Sequence, residues 1–109
     1  MTSPLLYALT PPTTCTITVH EAAPVREGLT VELASDFSGA FVEALKRDLG
    51  WQDRAWDEAR RRWYVAPHCL GLLTGLVLAH YDRATLVTDG GRSLTDLRSG
   101  VRAEQLALF

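Results

Sequence analysis

Cysteine is scarce: Cys15 and Cys69 are the only two in 109 residues. Two cysteines make no disulfide framework, and nothing else in the sequence points to secretion. A long apolar run is missing too. The longest, residues 69–79, includes Thr74 and falls short of the roughly 20 residues a bilayer demands. The first ten residues hold no basic cluster and their apolar stretch breaks at Pro11-Pro12, so no secretory leader is expected. Neither charge is in large surplus, since 11 Lys and Arg against 13 Asp and Glu give a formal net charge of -2. That disfavours nucleic-acid binding driven by overall charge, while a local basic patch stays open, because a field follows the arrangement of charges and not their sum. These absences lead to the expectation of a cytoplasmic protein with no membrane contact.

Chemistry is sparse as well. His20, His68 and His80 with Cys15 and Cys69 show no C-x2-C or H-x3-H spacing, and the adjacent His68 and Cys69 are not expected to face one site. Asp89-Gly90-Gly91 is not followed by the lysine of a phosphate loop. Asp57 and Glu58 are neighbours in a turn, a poor arrangement for an acid/base pair. The expectation is a non-enzymatic protein with no metal, no cofactor and no small-molecule substrate.

What is present is a small core, from 47% hydrophobic residues, and a readable order of elements. Residues 1–14, with Pro4, Pro11 and Pro12 among threonines, read as an extended lead-in. Cys15, Ile17 and Val19 alternate with Thr16, Thr18 and His20, and Leu29, Val31 and Leu33 with Thr30 and Glu32. The two read as strands of one hairpin. Ser35 and Asp36 are both suited to cap a helix whose stripe is Phe37, Phe41, Leu45 and Leu49, with Gly50 as its left-handed stop. Residues 51–65 read as a second hairpin with a charged turn. Pro67 opens a second helix, apolar on nearly all sides from Leu70 to Tyr81 and so expected to be the more buried one. A short strand at 85–88 follows, then a break at Gly90-Gly91. The predicted fold is α+β, a small, mainly antiparallel sheet with two helices on one face, over residues 15–89. Residues 90–104 read as a linker and 105–109 as a docking peptide on a flexible tail.

The second hairpin carries Trp51, Trp56 and Trp63, then Arg60-Arg61-Arg62 and Tyr64. Core packing accounts for tryptophans in a small domain, and a solvated turn accounts for arginines. Alternation adds a second possibility. With Trp63 and Val65 turned inward, Arg62 and Tyr64 face outward, and Arg54, Lys46 and Arg47 extend a basic edge on which a base could stack while arginine binds phosphate. The succession of a helix ending in Leu-Gly, Trp51-x4-Trp56-Asp57, Arg60 to Val65 and a helix opened at Pro67 resembles the small HARP-like modules of annealing helicases and of bacterial and phage proteins. That resemblance implies a nucleic-acid-associated αβ module without catalytic residues, over about Leu29 to Val87. The residues it would use are Arg54, Arg60, Arg61, Arg62 and Tyr64.

Gln105-Leu106-Ala107-Leu108-Phe109 fits the pattern Gln-Leu-x-Leu-Phe. It resembles the pentapeptide by which bacterial polymerases, mismatch-repair proteins and plasmid or phage initiators bind the sliding clamp. Ala107 departs from the Ser or Asp common at the third position. A short peptide gains affinity from few atoms, so it needs large apolar anchors and one polar group that fixes register. Leu108 and Phe109 supply the anchors, Leu106 a second contact and Gln105 an amide that both donates and accepts. The alternative is an apolar end folded back on its own domain. The resemblance implies an interaction protein of DNA replication or repair, chromosomal, phage or plasmid in source. Its partner would be the bacterial clamp, with DNA a second candidate, and it would recruit or block clamp clients.

Overall fold

The computed structural model describes residues 12–99. Six strands form one sheet in the order β3-β4-β2-β1-β5-β6. They are β1 (Thr14–Val19), β2 (Val31–Ser35), β3 (Arg54–Asp57), β4 (Arg62–Val65), β5 (Arg83–Thr88) and β6 (Ser93–Asp96). Helix α1 (Gly39–Asp48) lies between β2 and β3, and α2 (Leu70–His80) between β4 and β5. The β1–β5 pair is parallel and every other pair antiparallel. The fold is α+β, as the alternation and element order predicted.

The topology explains why both helices share a face. β2 and β3 run parallel to each other, as do β4 and β5, so β2-α1-β3 and β4-α2-β5 are both crossover units. They run in opposite directions across the sheet and start from strands of opposite sense. Half a turn about the sheet normal brings one onto the other, so crossovers of the same hand put both helices on the same side. The core sits there: Cys15, Ile17, Val31, Leu33 and Val65 from the sheet, with Phe41 and Leu45 from α1 and Leu73 and Val77 from α2.

Several local expectations are corrected. Ser38 caps α1, its Oγ accepting from Phe41 N at 3.2 Å. Ser35 and Asp36 are occupied elsewhere: Ser35 ends β2 and its Oγ accepts from the Tyr81 hydroxyl, and Asp36 Oδ2 accepts from Thr14 N at 2.8 Å. Phe37 therefore precedes the helix and is 88% exposed, outside the stripe it was expected to open. Gly50 has φ -66, because α1 ends on an extended Leu49 and needs no left-handed residue. Helix α2 is apolar nearly all round but packs along one side, with Gly71, Leu72, Gly75 and Ala79 exposed. Leu73 and Val77 face the core.

The expected linker begins as sheet. Asp89, Gly90 and Gly91 take φ values of 54, 64 and 94 and close a tight turn that pairs Thr88 with Ser93 and makes 93–96 the edge strand β6. The strand hides from a period-2 search because its parity is inverted: Ser93 is buried and Leu94 exposed. Leu97 packs against the core, and Arg98 donates to the carbonyl oxygens of Leu78, Tyr81 and Asp82 at the end of α2. No helix among the described residues is long and apolar enough to cross a membrane.

Candidate functional site

The second hairpin forms as expected, with Arg54 opposite Val65, Trp56 opposite Trp63 and Asp57 opposite Arg62. Its turn is set by Arg61, whose φ is 56 and whose N–H donates to Asp57 O at 2.7 Å. Several arginines of the expected basic edge have partners within the domain. Arg54 is half-buried and donates from Nε to Leu49 O at 3.1 Å. Arg60 is paired with Asp57 at 2.8 Å, and Arg47 with Asp48 at 2.9 Å. Arg62 donates to the carbonyls of Arg60 and Arg61 and lies 3.9 Å from Glu32.

Tyr64 is the clearest correction. Alternation does put it on the face away from the helices, in register with Glu32 and Ala55, yet it is fully buried. Its hydroxyl donates to Glu32 Oε1 at 3.2 Å. Burial, then the Glu32 carboxylate, push its pKa above the usual tyrosine value. A ring so enclosed offers no stacking surface.

On the helix side the hairpin builds a different site. Register places Trp56 and Trp63 on the same face as Leu33, and they project past α1 to leave a groove of about 710 Å³. Its aromatic lining is Phe37, Phe41, Trp56, Trp63 and Tyr81. Trp56 is 43% exposed, its ring centre 5.4 Å from that of Trp63, and its indole N–H is fixed by Glu58 Oε2 at 2.7 Å. Lys46, Arg61 and Arg62 supply cations and Asp36 one carboxylate. A groove with flat π faces and three cations suits a ligand that carries flat rings and negative charge. Sequence reading placed Lys46, Trp56, Trp63, Arg61 and Arg62 near such a site but missed Phe37. Its exposure depends on the cap moving to Ser38. Trp51, in a single 3-10 turn, is 68% exposed outside this groove.

At the base of the hairpin the fold brings together groups that are remote or awkward in sequence. His68 Nε2 is 3.4 Å from Asp53 Oδ1, and the ligand atoms of Asp53, His68 and Cys69 lie within 4.8 Å of one another. A short 3-10 turn at Pro67–Cys69 makes this possible by turning consecutive side chains toward one point, which the sequence reading had judged unfavourable. Cys15, by contrast, is deep in the core, and its thiol is pushed up to about 12 by burial and the Asp36 carboxylate, so it is no nucleophile near neutral pH.

The pentapeptide Gln105 to Phe109 lies outside the described residues. Comparison with protein-family models, with curated proteins and with solved structures finds no match to this chain. The HARP-like and clamp-motif resemblances therefore rest on the residues quoted for them.

Proposed function

We propose that this chain is a non-enzymatic interaction protein of the DNA replication and repair machinery that docks on the bacterial sliding clamp through Gln105, Leu106, Leu108 and Phe109. The observation that carries this reading is the Gln-Leu-x-Leu-Phe pattern itself, with its apolar anchors and register-fixing amide. The fold supports it by bounding the tether. Arg98 fastens the chain to the end of α2, and residues 99–104 separate it from Gln105. A fully extended chain covers about 3.3–3.6 Å per residue, so the peptide lies within about 25 Å of its anchor. A domain held that close to the clamp's peptide groove would crowd other clients, which favours blocking over recruiting. Titration of the full chain into purified clamp, beside a chain ending at Glu104, tests the docking. Competition with a clamp-dependent polymerase tests the blocking.

A second reading is favoured by the aromatic groove. Phe37, Trp56 and Trp63 with Lys46, Arg61 and Arg62 suit single-stranded nucleic acid, whose bases stack and whose phosphates pair with cations. This replaces the outward basic edge, since Arg54, Arg60 and Tyr64 are engaged within the domain. Fluorescence anisotropy with a labelled oligonucleotide at several salt concentrations tests it.

A further inference from the structure

We propose that Asp53, His68 and Cys69 form a binding site for one divalent transition-metal ion of the zinc class, with a water molecule in the fourth position. The donor set is one carboxylate oxygen, one imidazole nitrogen and one sulfur, and their ligand atoms lie within 4.8 Å of one another. Zinc takes these three donor types at about 2.0–2.3 Å in a tetrahedron, which sets donor atoms about 3.5 Å apart. The Asp53–His68 pair already meets that spacing at 3.4 Å. The sulfur completes the set by a contraction on the order of 1 Å, within reach of a carboxylate and an imidazole that both lie at the surface.

The backbone around the three ligands is fixed before any ion arrives. Ala66 bridges them: its N–H donates to Asp53 O at 2.9 Å, and its own carbonyl accepts from Cys69 N at 3.0 Å. Pro67 stiffens the turn between them. Cys69 is also the N-cap residue of α2, so the start of that helix holds the sulfur in place. The floor and the mouth differ in the way a metal site requires. Cys69 is buried, which shields the sulfur, while the His68 side chain is 69% exposed and leaves a side open to water. Softness selects among ions. Sulfur and imidazole favour zinc over magnesium or calcium, which prefer all-oxygen shells. On binding, the Cys69 S–H bond gives up its proton to the buffer and the sulfur lone pair goes to the metal. The ion would tie the start of β3 to the start of α2 at the base of the hairpin.

The test uses the full chain, stripped with chelator and titrated with zinc chloride by calorimetry and with cobalt chloride by absorption. The expected result is one zinc ion per chain, a rise in melting temperature with zinc, and a sulfur-to-cobalt charge-transfer band. His68→Gln changes an exposed side chain and leaves the fold intact, and it is expected to weaken zinc binding at least about tenfold. Cys69→Ser is expected to abolish the charge-transfer band while Cys15→Ala keeps it. Failure of the wild-type chain to bind zinc at millimolar concentration overturns the proposal. So does binding that His68→Gln and Asp53→Asn leave unchanged, which would assign the ion to another site.

Discussion

Tyr64 and Glu32 face each other across β4 and β2 on the side of the sheet away from α1 and α2, the phenol donating to the carboxylate at 3.2 Å. Glu32 Oε1 also lies 3.1 Å from His20 Nε2, and Arg62 approaches Oε2 at 3.9 Å. One carboxylate of β2 thus gathers groups from β4 and from the residue just past β1. Tyr64→Phe keeps the ring and removes one donor from an acceptor with other partners, so a loss of about 1 kcal/mol is expected. Tyr64→Ala leaves a cavity and is expected to cost about 3–5 kcal/mol. Urea denaturation of the three proteins measures both. Equal, small effects would mean that the ring is not part of the packed interior.

Alkaline pH should destabilise the domain. Folding raises Cys15 from 9.0 to about 12, and it raises Cys69, Tyr64 and Tyr81 above their ordinary values, with burial the first cause in each. The folded state then binds more protons than the unfolded chain, so stability is complete below the ordinary thiol value of 9.0 and falls as pH rises from there toward 12. Melting temperature measured in steps from pH 8 to 11 should drop through the upper part of that range. In Cys15→Ala the drop should be shallower, from a lower starting stability.

Arg98 should matter more to the domain than an exposed arginine usually does. Its guanidinium reaches the carbonyls of Leu78 and Tyr81 at the negative end of α2 and that of Asp82 just beyond it. Arg98→Ala is expected to cost about 1 kcal/mol, the exposed setting lowering the usual value for a charged donor. Hydrogen exchange should show faster opening of β6 in the variant. Unchanged exchange there would separate the strand's stability from this anchor.

The fold was legible where one physical signal dominated. Period-2 alternation located β1 and β2, and the spacing of Phe41, Leu45 and Leu49 located α1. Signals that compete were misread. Ser35 and Asp36 both offered a cap, but tertiary partners at Tyr81 and Thr14 engage them and Ser38 serves instead. Strand β6 presents Ser93 inward, so its burial comes from position and not from side-chain apolarity. The parallel placement of β5 beside β1 has no local sequence signature. For the candidate sites, residue types were visible but directions were not. The arginines of the hairpin were found, while their pairing with Asp57, Glu32 and backbone carbonyls depends on a turn geometry set by Arg61.

The groove gives a separation of binding from stability. Phe37 is 88% exposed, so Phe37→Ala should change stability by no more than about 0.5 kcal/mol. If bases stack in the groove, the same change should weaken single-stranded DNA binding by about 1–3 kcal/mol, the usual worth of one stacked base. Arg61→Ala should reduce the salt dependence of binding by about one phosphate contact, whereas Arg60→Ala should change it less, since Arg60 already serves Asp57. Identical salt slopes in both variants and wild type would remove the hairpin from any nucleic-acid interface.

Removing Leu108 and Phe109 should abolish clamp binding and leave the melting temperature of the domain within a degree or so, because the described core draws its side chains from residues 15–97. Burial of a side chain of this size contributes about 1.5–3 kcal/mol. Losing two takes a micromolar contact beyond detection, at about 1.4 kcal/mol per tenfold. Gln105→Ala removes one partly hydrated polar contact and keeps both anchors, so its loss should be nearer about 1 kcal/mol. The ordering is the decisive part. A peptide seated in a clamp pocket gives wild type, then Gln105→Ala, then the deletion in falling affinity, all at constant domain stability. A tail that packs on its own sheet gives the reverse pattern: the deletion melts many degrees lower and no form binds the clamp in isothermal titration.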